Sequence, residues 1–97
     1  MTEVVIKEVA KNFLRTEQEI VTDGVRAFLN DRLRVFEAER QYLLAKYAVS
    51  SMEELDAHVA KHPEREADLL PDLQRADYLV AQISDLAHWV ETLNNGD

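Results

Sequence analysis

The sequence predicts an all-α fold: a small helical bundle built on a long central helix and a long C-terminal helix, expected to be dimeric. Three observations predict it. Apolar residues recur at spacings of three and four through most of the 97 residues. Two glycines and two prolines leave long stretches without a breaker. Two Ser/Thr-x-x-Glu signatures, Thr16 with Glu19 and Ser51 with Glu54, mark helix starts.

The first segment places Val5, Ile6, Val9, Ala10, Phe13 and Leu14 on one helix face, which predicts a helix over residues 3–14. Val4-Val5-Ile6 is β-branched, so a short strand over residues 3–7 is the alternative. The Thr16 capping box opens the long helix, predicted over 17–48, with Ile20, Val21, Val25, Phe28, Leu29, Leu33, Phe36, Leu43 and Tyr47 on one broad stripe. Some thirty residues at 1.5 Å each make a rod of roughly 45 Å, longer than a small domain is wide, so it needs a partner along its length. Gly24 inside it marks a close crossing, a bend or simple tolerance. Ser51 opens a short helix over 52–60 with Met52, Leu55 and Val59 inward, and Pro63 ends it. Residues 64–70 read as a turn of helix or a loop, and Pro71 as a first-turn residue of a last helix over 71–94. There Leu73, Ala76, Val80, Ile83, Ala87 and Val90 form a seam that Leu79, Leu86 and Leu93 widen at seven-residue intervals. Small Ala76 and Ala87 permit close approach to the long helix. Asn94-Asn95-Gly96 supplies the stop.

The chain is 46% apolar, too rich in core formers for disorder, and without cysteine it excludes disulfides and Cys-ligated metal centres. Length alone fits one domain. Charge is divided unevenly. Residues 1–49 carry eight Lys/Arg against eight Asp/Glu, whereas residues 50–97 carry three against eleven and hence the whole net charge of −8. The acidic half repels phosphate and membrane surfaces and attracts basic partners. No secretory signal or apolar run of membrane-spanning length is visible, so a cytoplasmic location and no membrane partner are expected.

Residue constellations for chemistry are sparse. His58 and His62 lie four apart, a spacing that can offer two imidazoles to one metal, but Pro63 ends the helix and zinc asks for three or four ligands. His88 with Asp85 three residues earlier reads as an ordinary surface pair on a helix. No glycine-rich phosphate loop, nucleophile elbow or metalloprotease motif occurs, so no enzyme, no cofactor and no metal site is expected. Arg26, Arg32, Arg34, Arg40 and Lys46 decorate the long helix, but Asp23, Asp31, Glu37 and Glu39 are interleaved; this favours a salt-bridged face over nucleic-acid binding.

Read as a unit, residues 1–60 run from a short apolar segment through Glu19-Ile20-Val21-Thr22-Asp23-Gly24-Val25-Arg26-Ala27-Phe28-Leu29. A long Glu/Arg helix then closes in Leu44-Ala45-Lys46-Tyr47-Ala48-Val49-Ser50-Ser51-Met52-Glu53-Glu54-Leu55. This order resembles the small prokaryotic antitoxins of type II toxin–antitoxin pairs, whose ribbon-helix-helix members carry a stretch similar to Glu19–Leu29. The segment before it lacks the alternating basic strand that such proteins place in the major groove, and Ala48 stands where the pattern has glycine. The resemblance therefore implies partner binding more than DNA contact: an acidic region over residues 64–93 that neutralises a basic toxin, with dimerisation through the long helix.

The reading that follows is a non-enzymatic protein-interaction module that binds a basic protein through its acidic C-terminal half. Asp72, Asp77, Asp85 and Trp89 are the expected partner contacts. Phe28, Leu33 and Phe36 on the long helix, with Leu79, Ile83, Leu86 and Val90 on the last, are the expected interface core. Dimerisation is expected because two long apolar stripes exceed what one short chain can cover. A small DNA-associated regulator and a structural homo-oligomer are the alternatives.

Overall fold

The computed structural model describes residues 1–96. Helix α1, Thr2–Asn12, takes in the β-branched run, and no strand occurs among the described residues for it to pair with. The helix satisfies within itself backbone groups that a lone strand would leave open. Its apolar face is thinly covered: only Ala10 is buried, while Val4, Val5 and Phe13 are each more than half exposed. Leu14, at φ 55°, ends it in a Schellman motif, with the amide of Leu14 donating to Lys11 O and that of Arg15 to Ala10 O.

Helix α2, Glu17–Lys46, begins at the expected capping box: Glu19 N–H donates to Thr16 Oγ1 (3.0 Å) and Thr16 N–H to Glu19 Oε1 (2.9 Å). It stops two residues before the expected Ala48, because Ala48 itself adopts φ 54°. A second Schellman motif results, in which Val49 N–H donates to Leu44 O and Ala48 N–H to Ala45 O. Gly24 is no close crossing, since a Cβ there would meet open space.

Helix α3, Met52–Ala60, is capped by Ser51, whose hydroxyl accepts from Glu54 N–H at 3.1 Å. The Glu54 carboxylate returns one residue further back than a capping box requires, to Ser50 N–H at 2.6 Å. A 3₁₀ turn at Pro63–Arg65 then leads directly into α4, Glu66–Asn94.

That start corrects the expected one. α4 begins five residues before Pro71, which lies inside the helix, and residues 66–70 are helical where a loop was one of two readings. Proline there forfeits one i→i−4 hydrogen bond, yet the extra turn brings Leu69 into the core at 3% exposure. One buried leucine offsets a missing bond in the second turn, where a proline ring has less preceding helix to clash with.

α2 and α4 run antiparallel, with α3 folded across the end where they are joined. The core sits at this closed end: Leu43 and Leu44 of α2, Leu55 of α3, and Ala76 and Leu79 of α4, ringed by Phe36, Tyr47, Val49, Met52, Leu73 and Ile83. Ala76 admits the close approach expected of it, whereas Ala87 faces solvent. Towards the open end the buried residues on the seam thin to Leu29 and Leu86. The molecule measures 61 × 27 × 16 Å. Its radius of gyration is 19.4 Å, against about 12.5 Å for a compact chain of this length.

Candidate protein-interaction surface

Three polar links staple α4 to α2 at spaced levels. Nearest the closed end, Lys46 Nζ donates to Asp72 Oδ2 at 2.7 Å and the Tyr47 hydroxyl donates to the same oxygen. Next, Arg75 makes a two-pronged pair with Glu39 at 2.5 and 2.8 Å. At the open end, Arg26 Nε donates to Asn94 Oδ1 at 2.9 Å. Aromatic contacts lie between the links: Tyr78 meets Phe36 edge-on at 6.4 Å, Arg75 stacks over Tyr78 and Arg32 over Phe36.

The links perturb their own titrations. The Lys46 ammonium, then the Tyr47 hydroxyl, hold the Asp72 carboxyl below the usual carboxylate range, and Asp72 in turn raises Lys46. Burial, then the hydrogen bond to Asp72, raises the Tyr47 phenol. The Arg75 guanidinium lowers Glu39. Glu19 and Glu54 are lowered by backbone N–H donors at the helix caps.

The four residues read as partner contacts thus divide. Asp72 is engaged within the chain as part of the closed-end staple. Asp77 and Asp85 lie exposed on α4, and neither forms a hydrogen bond or ion pair among the described residues. Trp89 is 49% exposed and borders an apolar groove with Val25, Leu29, Thr92 and Leu93. Among the described residues Asp85 forms no hydrogen bond with the His88 side chain, and the Thr92 hydroxyl donates to the His88 carbonyl at 3.0 Å.

The expected interface core also divides. Leu79 and Leu86 are buried, and Leu33, Phe36, Ile83 and Val90 are half-buried along the α2–α4 seam. Phe28 departs from it at 63% exposure, because its position on α2 turns away from α4 while neighbouring Leu29 turns inward. Spacing missed the staples, whose partners are 25 to 68 residues apart. The signal that finds them is the antiparallel register itself, which sets Lys46 against Asp72 and Glu39 against Arg75 once the α3 connection is fixed in length.

The charges of α2 largely neutralise one another: Asp23 pairs with Arg15 and Arg26, Asp31 with Arg34, and Glu37 with Arg40. Few of its cations remain for phosphate. His58 and His62 stack at 4.7 Å, with Tyr47 against His58 at 5.5 Å, and His62 Nδ1 lies 3.5 Å from Glu64. Among the described residues no group of three or more His, Cys, Asp or Glu side chains converges as a metal site requires. Among the described residues no helix is long and apolar enough to cross a membrane.

No curated protein and no solved structure matches the chain. Along its whole length, residues 1–97, it matches the uncharacterized protein MJ0235 family, and with this end-to-end correspondence the four-helix chain belongs to that family.

Proposed function

We propose that the protein is a non-enzymatic interaction module, a homodimer that takes a basic protein partner on the outer side of α4. The observation that carries this reading is the unneutralised acid of that helix. Asp77 and Asp85 lie eight residues, hence about 12 Å, apart on one helix, exposed and without intrachain partners among the described residues, beside the half-exposed Trp89. Paired cations on a partner's helix would match that spacing, and an aromatic side chain at its edge supplies the kind of anchor that dominates protein interfaces. By resemblance the partner is a toxin, and the module its neutralising antitoxin.

The test is capture by the tagged full chain from its source cells at moderate salt, with wild type and the double variant Asp77→Asn/Asp85→Asn run side by side. One basic protein retained stoichiometrically by the wild type and lost by the variant is expected. Equal retention by both proteins, or none by the wild type, overturns the reading. Toxicity of the captured protein when expressed alone, relieved by co-expression of this chain, tests the antitoxin role.

A further inference from the structure

α2 carries two seven-residue ladders side by side. Leu29, Phe36 and Leu43 pack towards α4. One residue earlier in each repeat, Val21, Phe28, Val35 and Tyr42 line the neighbouring flank, exposed by 48, 63, 37 and 67%. A strict repeat of seven drifts by about 20° per heptad around a straight helix, so this stripe stays covered only if a second helix coils along it left-handedly.

The geometry points to a second copy of the same helix, running antiparallel across a two-fold axis near residue 33. This inference rests on the self-association proposed above and names its surface. Three residues after each large side chain comes a smaller one: Gly24, Asp31, Ala38 and Ala45. A parallel pair would set Phe28 on Phe28 and press Asp31 against Asp31. The antiparallel pair interleaves large with small, with Phe28 over Ala38 and Tyr42 over Gly24 of the second copy, where a helix can approach freely. It also brings Asp31 beside Arg34 of the second copy, adding a cross-axis partner to the Asp31–Arg34 pair of each chain.

Charge selects the same occupant. α2 nets −1 and α4 −5, so two copies meeting through α2 avoid the repulsion that contact through α4 would bring, while a basic protein is drawn to α4 instead. Area points the same way. The four ladder side chains alone expose roughly 400 Å² per chain, about half of one side of a standard interface, and the backbone and small residues between them lie in the same strip.

Static light scattering at micromolar concentration should give twice 11.2 kDa for the wild type, and 11.2 kDa for Phe28→Glu/Val35→Glu with unchanged helical circular dichroism. Phe28 is 63% exposed in the single chain and Val35 37%, and the circular dichroism reads directly whether the fold withstands both substitutions. Because the chain has no cysteine, single spin labels report the register without weakening the apolar contact. Labels at Arg34→Cys should lie about 10 to 20 Å apart, and labels at Glu17→Cys roughly 50 Å apart. A monomeric wild type overturns both this inference and the self-association beneath it. A dimer that survives Phe28→Glu/Val35→Glu leaves self-association standing and overturns the stripe. Glu17 labels as close as Arg34 labels overturn the antiparallel register.

Discussion

Ala48 closes the longest helix in a conformation that L-residues with a Cβ adopt at a cost of roughly 1–2 kcal/mol. It does so without glycine because the motif it completes satisfies two α2 carbonyls and lays Val49 against the core. Ala48→Gly should therefore stabilise the protein by about 1 kcal/mol, read as a rise of several degrees in the thermal midpoint. A fall in the midpoint would show that the Ala48 conformation carries no strain. The opposite extreme is Leu79, fully buried where α2, α3 and α4 meet: Leu79→Ala should cost about 2–5 kcal/mol in chemical denaturation. Among ionisable residues, Glu19, Glu39, Glu54 and Asp72 all have carboxyls lowered by folding. Each contributes stability that is complete above the ordinary carboxylate range and disappears as pH falls through the depressed values. Denaturation midpoints should hold between about pH 5 and 8 and decline below about pH 4, and Asp72→Asn should flatten part of that decline. A midpoint that stays level down to pH 2 would contradict these assignments. Sequence marks Asp72 as a partner contact, but its side chain is engaged within the chain, because the staple to Lys46 and Tyr47 depends on a fold-back that no local spacing encodes.

Among the elements, α2 was the most legible. Its capping box, its apolar stripe and the Ser-rich stop are all local signals, and the helix follows them to within two residues. α4 was legible over part of its seam, since Ala76 and the flanking Leu79 and Leu86 are buried while Val80 and Ala87 of the expected seam are exposed, and not at its start, because proline marks where a helix is allowed to begin and not where it must. Leu69, six residues after Pro63 opens the 3₁₀ turn, is what draws the helix back to Glu66. Pro71 is exposed, so replacing it removes no packing. Pro71→Ala should restore one backbone hydrogen bond and add about 2 kcal/mol of stability, after the extra freedom of the unfolded chain takes back about 1 kcal/mol. Equilibrium denaturation measures the gain; no change would mean that the second turn of α4 already accommodates the ring. α1 follows its helical periodicity, but periodicity alone did not reveal how little of that face its own chain covers. Phe28 shows the same limit, because a helical repeat specifies a face and not the molecule that covers it.

At the scale of the whole molecule, neutral α2 and acidic α4 expose different surfaces with different electrostatic requirements. The dimerisation proposed through α2 would bring together two chains of net charge −8, so added salt should tighten it by screening. Binding of a basic protein to α4 should weaken under the same addition, and sedimentation with and without the partner would read both trends. Parallel salt responses would mean that the two surfaces are not electrically separate. The slender outline bears on how either association is weighed. By the scaling that relates size to length in compact chains, a radius of gyration of 19.4 Å belongs to a globular protein of roughly 300 residues. A single copy passing through a sieving matrix would therefore elute ahead of compact proteins of its own mass, and an early peak by itself counts friction, not subunits.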